Sequence, residues 1–407
     1  MRRRTFVAAV GASSVMHPLL ATAQQQQDDP WGAAAGYPTG WGSPRGMTPD
    51  KRVRVGNFSG GFESMMPNRT IHCGTAADPW RDKPRTDIRY RVNGVTKSPD
   101  DYMAAWPVTG LLIARRGEVW FEKYQFGRTA DMRMTGWSMS KSVTSLLLGI
   151  TVDSGKIASL EDSASKYVPS LAGTLHGETS LRNLMNMSSG ADIVHEQGNK
   201  TIYPAALTGG PRTDIEATVR NWNNARRESA GTRFNYNELC PLTIGMVLRA
   251  VNGMSLSEFA EQALWKPLGA EADATWLTDS HRNEFNCIGF AARLRDWARL
   301  GRLVAQRGHA NGRQIVSREW MESYSRWEAN EAQVKFGALG TPPRAGYKAF
   351  MWHAKADGSW PLFSGAQGQR VLVDLATETV MVQTAVGEEG EWQREMFGVF
   401  QGAVGVG

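Results

Sequence analysis

The sequence predicts an α/β chain: an antiparallel sheet flanked by helices, built from both ends of the sequence, with a mainly helical domain inserted between them. Three observations carry this. Residues 108–114 and 119–124 are apolar runs flanking the turn Arg115-Arg116-Gly117-Glu118, and read as a hairpin. Residues 371–375 and 380–384, separated by Ala376-Thr377-Glu378-Thr379, read as a second hairpin. Between the two hairpins the apolar spacing is mostly helical.

Taken in order, residues 1–23 read as an export signal. Arg2-Arg3-Arg4 form a charged start, residues 6–20 are mostly apolar or small, and Ala21-Thr22-Ala23 fits a small-x-small cleavage site. Arg3-Arg4-Thr5-Phe6 also fits a twin-arginine signal. A membrane anchor is disfavoured, because the apolar stretch is short and broken by His17-Pro18. Residues 24–50, from Gln24-Gln25-Gln26-Gln27 through a Gly/Pro/Ala-rich stretch, read as a flexible linker. Residues 51–160 and 285–407 are expected to form one discontinuous α/β domain, and residues 161–284 the helical domain. A helix starts near Ser138 and runs into Leu146-Leu147-Leu148-Gly149-Ile150. Residues 181–187, 242–251, 256–264 and 291–308 also have helical spacing.

Composition bounds the partners. The 407 residues suffice for one large or two ordinary domains, and 41% apolar residues with 15 Trp fit a globular protein. Arg2, Arg3 and Arg4 account for half of the formal charge of +6, and no basic tract with interleaved aromatics follows, so nucleic acid is not expected. Cys73, Cys240 and Cys287 have no CxxC spacing and imply no disulfide framework, although one bridge remains open. His195-Glu196 is not followed by a second His at helical spacing, so no catalytic metal is expected. Oligomeric state is not legible.

The chemistry sits at Ser138-Met139-Ser140-Lys141. If a helix starts at Ser138, a lysine three residues on lies one turn away on the same face. Its amine can then reach the serine hydroxyl, and a serine at neutral pH needs such a group to become a nucleophile. Ser138 as a mere helix cap is the competing reading. A second match, Ser163-Ala164-Ser165-Lys166, stands in a polar run stopped by Pro169 and reads as surface. Two further segments complete a site. Arg233-Phe234-Asn235-Tyr236-Asn237-Glu238 offers a tyrosine to relay protons, or one that only buries its ring. Phe363-Ser364-Gly365-Ala366 leads into a strand whose backbone N–H, with that of Ser138, could hold an oxyanion; an ordinary Gly-rich turn is the alternative.

Together these segments, over about residues 105–400, resemble the serine hydrolases of the β-lactamase and penicillin-recognising superfamily. They are most similar to the branch of class C β-lactamases, esterases and 6-aminohexanoate-dimer hydrolases. Leu184-Met185-Asn186-Met187-Ser188-Ser189-Gly190 looks like the family's Leu-Leu-x-x-x-Ser-Gly segment. The resemblance implies a β-lactamase/transpeptidase-like fold with no cofactor and no metal. It makes Ser138 the acylated nucleophile, Lys141 its base and Tyr236 the proton donor to the leaving group. The N–H groups of Ser138 and Ala366 become the oxyanion hole, and Trp137, Glu238, Phe363, Ser364 and Gly365 would contact substrate. Two positions depart from the pattern: Glu238 replaces the Asn of Tyr-x-Asn, and Phe363 the Lys of Lys-Thr-Gly. The expected activity is therefore cleavage of a small amide or ester outside the cytoplasm. The alternatives are a class C-type β-lactamase or D-amino-acid peptidase, and a non-catalytic envelope protein that binds ligands.

Overall fold

The computed structural model describes residues 67–75, 77–192, 214–222, 226–326, 346–355, 357–387 and 392–406. The expected signal, the linker and residues 51–66 of the expected α/β domain lie outside the described residues, as does His195-Glu196. The N-terminal strands are β1 (Asn68–Ile71), β2 (Arg81–Asp82), β3 (Tyr90–Val92), β4 (Val95–Lys97), β5 (Val108–Arg115), β6 (Glu118–Tyr124) and β7 (Met134–Thr135). After a helical stretch come β8 (Ala274–Leu277), β9 (Phe290–Ala292), β10 (His309–Ala310) and β11 (Arg313–Gln314). The last five are β12 (Gly346–Lys348), β13 (Met351–His353), β14 (Pro361–Gly365), β15 (Gln369–Asp374) and β16 (Thr379–Ala385).

The main sheet has the order β12-β13-β14-β15-β16-β5-β6-β2. Every neighbouring pair is antiparallel except β2–β6. Both expected hairpins are present. In the first, Arg116 and Gly117 both take positive φ, the tight turn whose twist matches the strands it joins. The seam between β16 and β5 brings the two ends of the described chain into one sheet. A smaller sheet has the order β1-β8-β9-β7.

Strands β15 and β16 are buried at every residue and β5 at all but its last, so both faces of the sheet are covered. Five helices matter here: α1 (Pro99–Ala105), α2 (Met139–Asp153), α3 (Leu239–Asn252), α4 (Leu294–Ala305) and α5 (Trp392–Gly405). Helix α4 packs on β5, β15 and β16; α5 packs on α1, β3 and β16. Helix α2 lies between the strands β13–β15 and α3. Its side chains are buried nearly all round, which fits a helix at the centre of a domain rather than on its surface.

Three expectations need correction. Ala274–Leu277 is a strand within residues 161–284, where helix was expected; its four buried residues pair with β1 and β9. The helix expected from residue 291 starts at Leu294, because residues 290–292 are taken by β9. Helix α5 was not foreseen. All three cysteines are free thiols, so no bridge forms between them. Among the described residues no single helix is long and apolar enough to cross a membrane.

Candidate active site

The approach to Ser138 is a constrained turn. Trp137 has φ +49°, a left-handed conformation that costs a non-glycine residue energy, and Ser138 follows at φ −65°, ψ −6°. The turn is pinned from several sides. Gly136 N–H donates to the Phe290 carbonyl (2.9 Å), and the Trp297 indole donates to the Met134 carbonyl (3.0 Å). Ser140 Oγ donates to the Trp137 carbonyl (2.7 Å) and accepts from Phe290 N–H (2.9 Å). Trp137 itself is buried, so the ring expected to contact substrate belongs to the core. Ser138 keeps partial exposure at the start of α2.

Lys141 is 1% exposed and makes three contacts through one nitrogen. Its Nζ donates to Ser138 Oγ at 2.9 Å and to the Cys287 carbonyl at 3.0 Å, and it pairs with Glu238 Oε2 at 2.6 Å. Burial alone pushes the ammonium down; the Glu238 carboxylate, helped by Tyr236 and Cys287, outweighs this and raises it above the ordinary lysine value. Tyr236 completes the group. Its hydroxyl hydrogen-bonds with Lys141 and Ser138, and Lys141 Nζ sits 4.9 Å from its ring centroid. Burial raises the phenol, and the Lys141 charge only partly offsets this.

The loop bearing Tyr236 and Glu238 is held at both ends. Asn235 N–H donates to the Met187 carbonyl (2.6 Å) and its amide to the Ala191 carbonyl (3.0 Å), which gives the Leu184–Gly190 segment a structural task. Asn237 Oδ1 accepts from Cys240 N–H (3.0 Å), supporting the start of α3. The Tyr236 ring stacks on Trp352 (centroids 5.7 Å apart) and meets Tyr347 edge-on (6.1 Å).

The strand motif lies against the turn that precedes Ser138. A Cβ on Gly365 would come within 2.1 Å of the Gly136 carbonyl oxygen, so only glycine lets β14 close on the turn before Ser138. Ala366, next in the chain, is exposed. Phe363 is fully buried in the layer where β14 meets α2. The expectation that its ring contacts substrate is therefore corrected. Glu238 needs a larger correction. It is 1% exposed, cannot reach a substrate, and is instead the partner of Lys141. Ser364 is 6% exposed and marginal for contact.

Sequence reasoning missed the segment Asn286–Phe290, which bonds along the first two turns of α2 through the carbonyls of Asn286 and Cys287. These contacts are made by backbone atoms, which leave no mark on side-chain pattern. The aromatic neighbours Phe234, Tyr347 and Trp352 were missed for lack of any shared spacing. Among the described residues one carboxylate–imidazole group, Asp214, Asp279 and His281, has its possible ligand atoms within 4.8 Å of one another. Its Asp279 already accepts from the N–H groups of Ile215, His281 and Asn283, which accounts for its burial.

Comparison with known proteins adds four findings. The beta-lactamase family model matches residues 97–394. A 6-aminohexanoate-dimer hydrolase of Paenarthrobacter ureafaciens is 26% identical over 279 residues, covering 67% of this chain and 71% of that protein. Among solved structures, a putative 6-aminohexanoate-dimer hydrolase from Bacillus anthracis superposes with a TM-score of 0.78 at 19% identity, over 90% of this chain and 96% of the other. A family VIII carboxylesterase superposes with a TM-score of 0.55 at 15% identity, over 75% and 95%. At these identities the superpositions speak for fold alone.

Proposed function

Because the chain belongs to the beta-lactamase family, we propose that it is a serine hydrolase that cleaves amide or ester bonds through an acyl-enzyme, in the manner of 6-aminohexanoate-dimer hydrolases and carboxylesterases. The observation that carries this is the 2.9 Å bond between Ser138 Oγ and Lys141 Nζ, with the Tyr236 hydroxyl bonded to both.

In this reading Ser138 attacks the carbonyl carbon. The N–H groups of Ser138 and Ala366 receive the oxyanion, and Tyr236 protonates the departing amine or alcohol. Water, deprotonated through the same tyrosine, then releases the acyl group. No metal or cofactor is required. The substrate class follows from position 363. A cation there would bind a substrate carboxylate; the buried Phe363 supplies none. A lost charge-assisted hydrogen bond is worth about 1.5–3 kcal/mol, roughly ten- to hundredfold in recognition. Neutral substrates are thus favoured over β-lactams. The expected result is a higher kcat/KM on p-nitrophenyl butyrate than on nitrocefin. A preference for nitrocefin would refute the amide/ester reading.

We further propose export, on the charged start and cleavage pattern of residues 1–23. The intact mass of protein recovered from the periplasm or medium should correspond to a chain starting near Gln24. A full-length product confined to the cytosol would sink this.

A further inference from the structure

A lysine that is to deprotonate serine needs a lone pair, and Lys141 Nζ lies against three oxygens that each suit an ammonium N–H. An ammonium has three donors and no acceptor. Here three acceptors surround Nζ: Ser138 Oγ at 2.9 Å, the Cys287 carbonyl at 3.0 Å and Glu238 Oε2 at 2.6 Å. The Ser138 and Cys287 contacts have hydrogen-bond geometry, and the shorter contact to Glu238 Oε2 is an ion pair. The shortest of the three contacts goes to a carboxylate as deeply buried as the lysine itself.

We propose that Glu238 is the terminal proton acceptor of acylation, acting through Lys141. This rests on the serine hydrolase reading and deepens it. The step balances as follows. Lys141 passes a proton across the 2.6 Å ion pair to Glu238 Oε2, forming an O–H bond and freeing a nitrogen lone pair, which rotation about Cε–Nζ turns toward Ser138. That lone pair takes the proton of Ser138 Oγ, whose electrons form the new bond to the electrophilic carbon. Lys141 ends as it began, an ammonium; Glu238 ends as a carboxylic acid; one negative charge has moved to the oxyanion. When the leaving group departs, the proton returns to it through Lys141 and Tyr236. Glu238 touches no substrate and is a positioning residue that also holds a proton. An asparagine at this position could not take one.

Burial makes the exchange feasible. Both groups have lost their water, which weakens the solvation that keeps each charged, although the pairing itself favours the ionic form. The groups facing the pair are Ser138 on α2, the Tyr236 hydroxyl, the Cys240 thiol near the start of α3, the Cys287 thiol and carbonyl, and Tyr347 on β12. The thiols and phenols are all pushed up by burial, Cys240 to about 11, and none replaces Glu238 as an acceptor near neutrality.

The test is the second-order rate constant for labelling Ser138 with a fluorophosphonate, measured on the full chain between about pH 6.5 and 9.5. Fluoride is then the leaving group, and the proton stays on the pair until solvent removes it. With Glu238 as acceptor, the wild-type rate stays flat within about twofold across this range. A free-amine or phenolate base would instead make it climb about tenfold per pH unit, and that slope overturns the relay. Glu238→Gln should lower the rate at neutral pH about 100-fold, with partial recovery in Glu238→Asp. If Glu238→Gln labels as fast as the wild type or faster, with its profile moved to lower pH, the lysine is the base and the proposal fails. Should that variant not fold, Glu238→Asp replaces it: labelling at the wild-type rate with a profile moved to lower pH overturns the relay. An adduct on Ser138 with a sloping profile overturns only the relay; no adduct at all overturns the hydrolase reading, and the relay with it.

Discussion

The chain carries the Ser-x-x-Lys spacing twice, and the two copies resemble each other beyond it. Ser138 and Lys141 have Tyr236 and Glu238 beside them; Ser163 and Lys166 have Tyr167 and Asp162. Both lysines sit over a tyrosine ring, at 4.9 and 5.8 Å, and both pair with a carboxylate, at 2.6 and 2.8 Å. The difference lies in where the partners come from and how much water reaches them. The first set gathers residues about a hundred positions apart onto the start of a buried helix, and its lysine bonds the serine. The second is local. The Lys166 side chain is 53% exposed, and Ser163 Oγ shares its bond with Ser165. Tyr167 donates to Asp162 and is spent there. A residue set becomes chemistry only when water is excluded and each donor is aimed at the next group.

The sharpest way to break this contrast is to delete each serine. Ser138→Ala should abolish labelling by a fluorophosphonate, while Ser163→Ala should leave it intact, as read by mass spectrometry of the labelled peptide. An adduct on Ser163 would reverse the assignment. The lysines should then differ in stability. Lys141→Ala strands the Glu238 carboxylate in the interior, a loss of about 3–5 kcal/mol for breaking a buried pair. Lys166→Ala removes an exposed pair and should not measurably move the urea midpoint. Equal midpoints for the two variants would show that the Lys141–Glu238 contact is not the buried pair described above.

Much of the fold was legible because it is written locally. The hairpins at residues 108–124 and 369–385 and the start of α2 follow from alternation, turn residues and an apolar run. Helix α5 was not legible, since Gly398, Gly402 and Gly405 weaken its helical signal. Gly402 has a reason that only the packing reveals: a Cβ there would lie 2.1 Å from the Arg89 carbonyl oxygen, beside β3. The strand Ala274–Leu277 was hidden because four residues set no period. At the site, Ser138, Lys141 and Tyr236 were legible as residue types at familiar positions. The task of Glu238 was not. In sequence it is a departure from a pattern, and its partner stands 97 positions upstream, so only the fold shows that the change of side chain is also a change of charge beside the lysine. Phe363 misled for a related reason: strand alternation tells that a residue points to one face, not whether that face is open.

The seam between β16 and β5 bears on how the molecule comes into being. Arg115 and Thr379 are joined by a side-chain hydrogen bond across 264 positions. At ordinary rates of synthesis, about 5–20 residues per second, β5 leaves the ribosome roughly 13 to 50 seconds before its neighbour exists. For that time Leu111, Leu112 and Ile113, all fully buried in the finished sheet, sit on a strand with an unsatisfied edge, the kind of surface that recruits other chains. That edge of β5 stays without its partner until residues 379–385 emerge.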